Sequence, residues 1–211
     1  MSEAIATLAI DTSLRACSVA IASTPDDVVA RSLDIGVGHA EHLAPLAADM
    51  LEEANLAPKA IEQIIVTVGP GSFMGVRVGI SFAKGFAMAH GAALIPITSL
   101  EALWLNAPEN ASGYTLIDAK RGQVYVQGFG AMATPPSLLS YEAAKVLTTD
   151  DDLTLIGSGV TILHPERDDP STHLPDVTKL LMAAEGKPSG PLEPVYLRAP
   201  DAAPAKPIKA S

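Results

Sequence analysis

Thr7-Leu8-Ala9-Ile10-Asp11 and Thr115-Leu116-Ile117-Asp118 read alike: an apolar run ending in aspartate, a short polar turn, then a second run with alternating apolar positions. In the first half the turn Thr12-Ser13-Leu14-Arg15 leads into ACSVAIA (16–22); in the second, Ala119-Lys120-Arg121-Gly122 leads into QVYVQGFG (123–130). Period-two alternation predicts strands, and recurrence of the whole unit suggests a duplicated half-chain. Outward from the first hairpin, VVARSLDI (28–35) follows a Pro25-Asp26-Asp27 turn and completes an antiparallel meander. Leu43, Leu46, Ala47, Met50, Leu51 and Ala54 then recur at three and four, predicting a helix over 39–54 with Pro45 near its start or kinking it. A short buried strand (61–70) precedes a helix over 72–90, with Ser72 as N-cap and Gly91 as C-cap. Further strands at 92–97, 114–120, 123–130 and 153–160, with helices at 99–107 and 140–147, give an α/β pattern. The expected organisation is a first lobe over 1–99, a smaller lobe over 100–198 whose last segment, Pro194–Arg198, can pack back on the first, and a disordered Ala/Pro-rich tail over 199–211.

Two lobes built on such hairpins are the plan of the actin, Hsp70 and sugar-kinase superfamily, the ASKHA fold. In its active members the turns are glycine-rich, so that backbone N–H groups approach nucleotide phosphates while the aspartate handles magnesium. Here the first turn has no glycine, and in the second side chains crowd the approach before Gly122. The expectation is a degenerate nucleotide site marked by Asp11, Thr12 and Asp118. Ile156-Gly157-Ser158-Gly159 fits either the remnant of a loop under an adenosine or a turn after a buried strand.

Gly69-Pro70-Gly71-Ser72 joins a strand to a helix, but no Lys-Ser/Thr pair follows the glycines and Pro70 lacks a donor, so a Walker phosphate loop is not predicted. The helix beyond it carries Gly75, Gly79, Ala83 and Ala87 four apart, a smooth stripe suited to close approach of a helix or sheet, in the core or on a partner. Arg77, Ser81 and Lys84 share another face, either solvated or a docking stripe for an acidic partner. His39 and His42 are three apart with no third ligand in view, so no metal site is expected. His90, His164 and His173 are isolated, and no Ser-His-Asp arrangement stands out.

The 211 residues are 48% hydrophobic, enough for a real core. The leading MSEAIATLAIDTS does not read as a secretory leader, no apolar run is long enough to span a bilayer, and a lone Cys17 allows no intrachain disulfide, so a cytoplasmic protein is expected. A net charge of −10 with a pI near 4.8 opposes nucleic-acid binding, which depends on Lys and Arg displacing counterions; alone, the chain should bind nucleic acid poorly.

LAIDTS (8–13), ACSVAIA (16–22), GHAEHLAPL (38–46), GPGSFMGVRVGI (69–80), DAKRGQVY (118–125) and PVYLR (194–198) together resemble the TsaB family, also called YeaZ. The motifs span residues 8 to about 198 in the family's order; Met74 departs from it, standing where the family usually has Thr. The resemblance implies a non-catalytic subunit, without cofactor, that serves threonylcarbamoyl transfer to the adenosine beside the anticodon of tRNAs reading codons that begin with A. Its partners would be the catalytic paralogue TsaD and the ATPase TsaE, with tRNA reached only through the complex and a homodimer formed when the chain is alone. In the family the first two helices form the interface; with the helical faces read above, they place His39, His42, Leu43, Leu46, Met50, Phe73, Gly75, Arg77, Gly79 and Lys84 there. The alternatives are a small-molecule kinase of the same fold and a metallopeptidase.

Overall fold

The computed structural model describes residues 5–198, so the expected tail lies outside the described residues. The first sheet is built from β1 (Thr7–Asp11), β2 (Ala16–Thr24), β3 (Asp27–Asp34), β4 (Gln63–Thr67) and β5 (Ala93–Ile97), in the order β3-β2-β1-β4-β5. β1 runs antiparallel to β2 and parallel to β4. The second sheet contains β6 (Gly113–Asp118), β7 (Gln123–Phe129), β8 (Ser137–Ser140) and β9 (Thr154–Ile156), in the order β8-β7-β6-β9. β6 is again antiparallel to the following strand and parallel to the last. The second sheet therefore repeats the first four strands of the first, with Asp118 at the end of β6 as Asp11 is at the end of β1. This is the two-lobed ASKHA plan expected from the duplicated hairpin.

β1 lies in mid-sheet and is buried on both faces, which is why its sequence is an unbroken apolar run. Leu8 and Ile10 face one core with Cys17, Val19, Ile64 and Val66; Ala9 faces another with Ala20, Ile65 and Ile95. The first core is covered by α1 (His39–Glu53) and α2 (Phe73–His90). Leu43, Leu46 and Met50 point into it, and each buried side chain of this size is worth about 1.5–3 kcal/mol. Pro45 sits inside α1 on the exposed side, beyond the first turn. α2 begins where Ser72 Oγ accepts from the Gly75 N–H at 3.2 Å and ends at Gly91, whose φ of 85° suits glycine, as the sequence predicts.

α3 (Ser99–Trp104), opened by a capping box between Thr98 and Glu101, lies between the sheets: Ala102 joins the second core of the first lobe, while Leu100 and Leu103 pack on Ile117 and Ile156. α4 (Tyr141–Leu147) and a single turn, α5 (Val160–Leu163), cover the second sheet. α6 (Val177–Ala184) was not foreseen from sequence; it returns to the first sheet and covers Ala9, Ala20 and Ile65 with Val177, Leu180 and Ala184. The span 100–198 is thus not one lobe in space, because its last part completes the first. From Gly190 the chain stays on that lobe: Gly190 N–H donates to Leu94 O, Leu192 is buried, and Val195 N–H donates to Val68 O at 2.7 Å.

The glycine stripe of α2 faces inward. A Cβ on Gly75 would lie 2.0 Å from the Thr12 carbonyl oxygen, and one on Gly79 2.5 Å from Thr12 Oγ1. Of the residues expected on a partner-facing surface, Leu43, Leu46, Met50, Gly75 and Gly79 are therefore committed to this chain's own core. Gly79→Leu is expected to overpack that core and cost about 1–3 kcal/mol in chemical denaturation. Gly85→Ala, where an added Cβ meets nothing, is expected to gain up to about 1 kcal/mol. Equal midpoints for the two variants would contradict the inward packing.

Candidate functional site

Asp11 ends β1 and is fully buried. Its Oδ1 accepts three hydrogen bonds: from Ser13 N–H at 3.0 Å, from Ser13 Oγ at 2.7 Å and from Thr67 Oγ1 at 2.6 Å. Oδ2 is buried without a partner among the described residues. Burial pushes the Asp11 pKa above the usual carboxylate range, against the opposing pull of the Ser13 and Thr67 hydroxyls, the Ser13 N–H and the nearby His39. Thr12, also fully buried, donates from Oγ1 to the Gly75 carbonyl at 2.8 Å, and Ser72 N–H donates to Ser13 O at 2.7 Å. A Cβ on Gly71 would strike the Ser13 carbonyl at 2.2 Å. The start of α2 is thus fastened onto the β1–β2 turn.

Asp118 occupies the equivalent place in the second lobe, and there the carboxylate is occupied differently. Lys120 Nζ lies 2.5 Å from Oδ2, while Lys120 N–H at 2.8 Å and Tyr141 OH at 3.0 Å donate to Oδ1. Partial burial pulls its pKa upward, but the bonds from the Lys120 side chain and N–H, then Tyr141, outweigh that and hold it below the ordinary value. The turn beyond it is unusual: Lys120 and Arg121 have φ of 61° and 56°, followed by Gly122 at 75°. Two long side chains in the left-handed region carry local strain, which side-chain bonding to Asp118 helps hold. Gly157 and Gly159 pack directly on Leu116, and Ser158 Oγ accepts from the Asp118 N–H at 3.2 Å, so the turn after β9 is braced on β6. Between the two turns opens a cleft of about 590 Å³.

A second surface lies between α1 and α2. A groove of about 380 Å³ is lined by Ala40, Ala44, Met74, Arg77, Val78 and Phe82, with Leu43 and Ser81 completing it. At its end the Arg77 guanidinium stacks 3.6 Å over the Phe73 ring and donates from Nε to Tyr196 OH at 3.0 Å; the Phe73 and Tyr196 rings are 5.5 Å apart. Phe73, Met74 and Tyr196 are 49%, 66% and 46% exposed, and a cluster of Arg, Met and aromatic side chains on a surface has the composition of an interface centre. His42, Phe73, Arg77 and Lys84 remain outward-facing, as a docking surface needs. His39 does not: it is buried with Nε2 3.2 Å from the Ala16 carbonyl, tying the first turn of α1 to β2. Tyr196 was missed as a site residue because its contact with α2 spans most of the chain, and no periodicity announces it.

Cys17 is fully buried, and burial, then the Asp11 charge, push its thiol up to about 11, so it stays protonated at neutral pH. His173 Nε2 sits 2.7 Å from Asp168 and 3.4 Å from Thr161 Oγ1; both contacts use the same nitrogen, so the group is not a nucleophile–base–carboxylate relay.

The raised pKa of Asp11 makes a signed prediction. Its folded pKa exceeds the unfolded value, so its contribution to stability is greatest below the unfolded pKa and is lost as pH rises through the folded one. Asp11→Asn keeps the Oδ1 acceptor and removes the charge. It is expected to match or exceed the wild-type midpoint at pH 7, with the difference shrinking as pH falls through the raised folded pKa and gone at the ordinary carboxylate value; urea denaturation across pH 4–8 reads it out.

The family model described as TsaD, tRNA N6-adenosine threonylcarbamoyltransferase, matches residues 36–134, a stretch that includes α1 and α2. The tRNA threonylcarbamoyladenosine biosynthesis protein TsaB of Bacillus subtilis is 34% identical over 121 residues, 56% of this chain and 52% of that protein. The Escherichia coli TsaB is 34% identical over 122 residues, with 56% and 52% covered, so the chain spans about half the length of the curated TsaB relatives it matches. An uncharacterized protein of Mycobacterium tuberculosis is 30% identical over 213 residues, with 93% of each chain covered. Among solved structures, YeaZ from Pseudomonas aeruginosa superposes with a TM-score of 0.74 at 28% identity, covering 92% of this chain and 100% of that one. The motifs, the repeated sheet topology and these matches agree: the chain belongs to the TsaB (YeaZ) family.

Proposed function

We propose that this chain serves tRNA threonylcarbamoyladenosine biosynthesis in the cytoplasm as a non-catalytic scaffold that binds and activates TsaD together with TsaE. The observation that carries the reading is the commitment of both hairpin aspartates inside the chain: Asp11 is fully buried beneath the first turn, its Oδ1 accepting from two hydroxyls and one N–H, and Asp118 is clamped by Lys120. Burial withholds Asp11 from a magnesium–nucleotide complex, and Asp118 could not reach one without breaking the bonds that hold its turn. What remains for function is surface. The α1–α2 groove, with Phe73, Arg77 and Tyr196 at one end and His42 and Lys84 on its flanking helices, has the apolar floor and cationic rim that suit a partner helix with acidic residues. The same surface would serve a second copy when TsaD is absent. The acidic chain supports tRNA chemistry through its partner, since its own charge disfavours phosphate backbones. No described helix is long and apolar enough to cross a membrane.

The test is to mix this chain with its own TsaD and follow the mixture by size exclusion with light scattering. A heteromeric peak is expected. Phe73→Ala with Arg77→Glu should weaken it at least tenfold, as loss of an interface centre does, while the melting temperature of the free chain stays nearly unchanged because both residues are exposed. A complex indifferent to both substitutions, or none with wild-type protein, overturns the docking surface.

A further inference from the structure

We infer that Arg77, held by Tyr196, sets the specificity of the α1–α2 groove: it selects a partner helix bearing a carboxylate and disfavours a second copy of this chain. The inference rests on the scaffold reading and names what the docking surface discriminates between. The chain carries 24 Asp and Glu against 14 Lys and Arg, and Arg15, Arg31, Lys120 and Arg167 each pair with an acid of their own chain. Arg77 does not. Among the described residues its side chain makes one hydrogen bond, from Nε to Tyr196 OH at 3.0 Å, and Nη1 and Nη2 have no partner. Tyr196 fixes where those two nitrogens sit. Val195 N–H donates to Val68 O at 2.7 Å and Leu192 is buried, so the segment leading to the tyrosine is fastened to the first lobe. The hydroxyl then holds the guanidinium at its Nε edge, while the Phe73 ring supports its face at 3.6 Å. A guanidinium stacked and bonded in this way keeps its Nη pair for a planar, two-oxygen acceptor, and because it is already ordered in the free chain, docking costs less side-chain entropy.

The groove beside this arginine has Ala40, Ala44, Met74, Val78 and Phe82 in its wall and no Asp or Glu. A two-fold interface offers each protomer only the same patch in return. Pairing two such grooves would therefore desolvate each Arg77 against an apolar lining with no counter-charge, and a buried, unpaired charge is costly. A partner helix with one Asp or Glu set among apolar residues satisfies both the groove floor and the guanidinium. One side chain thus supplies the attraction toward that partner and the penalty against self-association.

Two affinities of the full chain test this, for TsaD by isothermal titration and for itself by sedimentation velocity, each across a range of salt. Wild-type affinity for TsaD is expected to fall as salt rises, while self-association is unchanged or strengthened. Arg77→Met should weaken TsaD binding about tenfold, the loss of a charge-assisted contact, and leave self-association no weaker than in the wild-type chain. Tyr196→Phe keeps the ring and loses only the hydroxyl. It should weaken TsaD binding about threefold in the wild-type background and not at all in the Arg77→Met chain, since the tyrosine acts through the arginine. Thermal melts of both variants should match wild type, because both positions are exposed. Equal weakening of TsaD binding and self-association by Arg77→Met, or a Tyr196→Phe effect that persists in the Arg77→Met chain, would overturn the inference. A TsaD complex weakened by Phe73→Ala yet indifferent to Arg77→Met overturns this inference alone and leaves the docking surface standing; no complex with the wild-type chain removes both.

Discussion

The rest of the molecule depends on how Asp11 and Thr12 join the first turn to α2. Asp11 Oδ1 gathers the Ser13 hydroxyl, the Ser13 N–H and the Thr67 hydroxyl, so β1, β4 and the turn between β1 and β2 share one acceptor. Thr12 then bonds the Gly75 carbonyl, and α2 comes in so closely that Gly71, Gly75 and Gly79 have no room for a Cβ. A buried carboxylate is costly unless its bonds offset desolvation, and here one oxygen remains unpartnered. The compensation is architectural: the knot seats α2 against the sheet, which closes the core under α1 and α2 and leaves their outer faces as a groove.

The two halves share strand order but have diverged in the use of their aspartates. In the first lobe the aspartate is buried and serves the fold. In the second it stays near the surface and neutralises Lys120 in a strained turn. The halves also differ in completeness, since the second sheet lacks a counterpart to β5, while α6 and the segment from Gly190 leave it to finish the first lobe. That return brings Tyr196 beside Phe73 and Arg77 and sets Arg198 against the second turn, so one short segment contributes to both the groove and the cleft.

Much of this was legible in the sequence. The strand–Asp–turn–strand repeat gave the duplicated topology, and Ser72 and Gly91 marked the ends of α2. The direction of the Gly75/Gly79 stripe was not legible, because small residues every four positions fit a core and a partner equally; only the Thr12 carbonyl 2.0 Å from a Gly75 Cβ decides it. The Leu43, Leu46 and Met50 periodicity likewise identifies an apolar face without saying whose core it enters. β8 is half-buried with no alternation to reveal it, and α6 sits after a loop-rich stretch where its eight residues give a weak signal. Tyr196 and Arg198 act through contacts across 119 and 75 positions of sequence, beyond the reach of any local pattern.

The central claim is that this chain contributes surface and no catalytic carboxylate. The most direct measurement is threonylcarbamoyl transfer to tRNA in a reconstituted mixture of TsaD, TsaE and this chain carrying both Asp11→Asn and Asp118→Asn, with its binding to TsaD verified in parallel. The account predicts activity close to wild type. A folded, TsaD-binding double variant that abolishes transfer would contradict it.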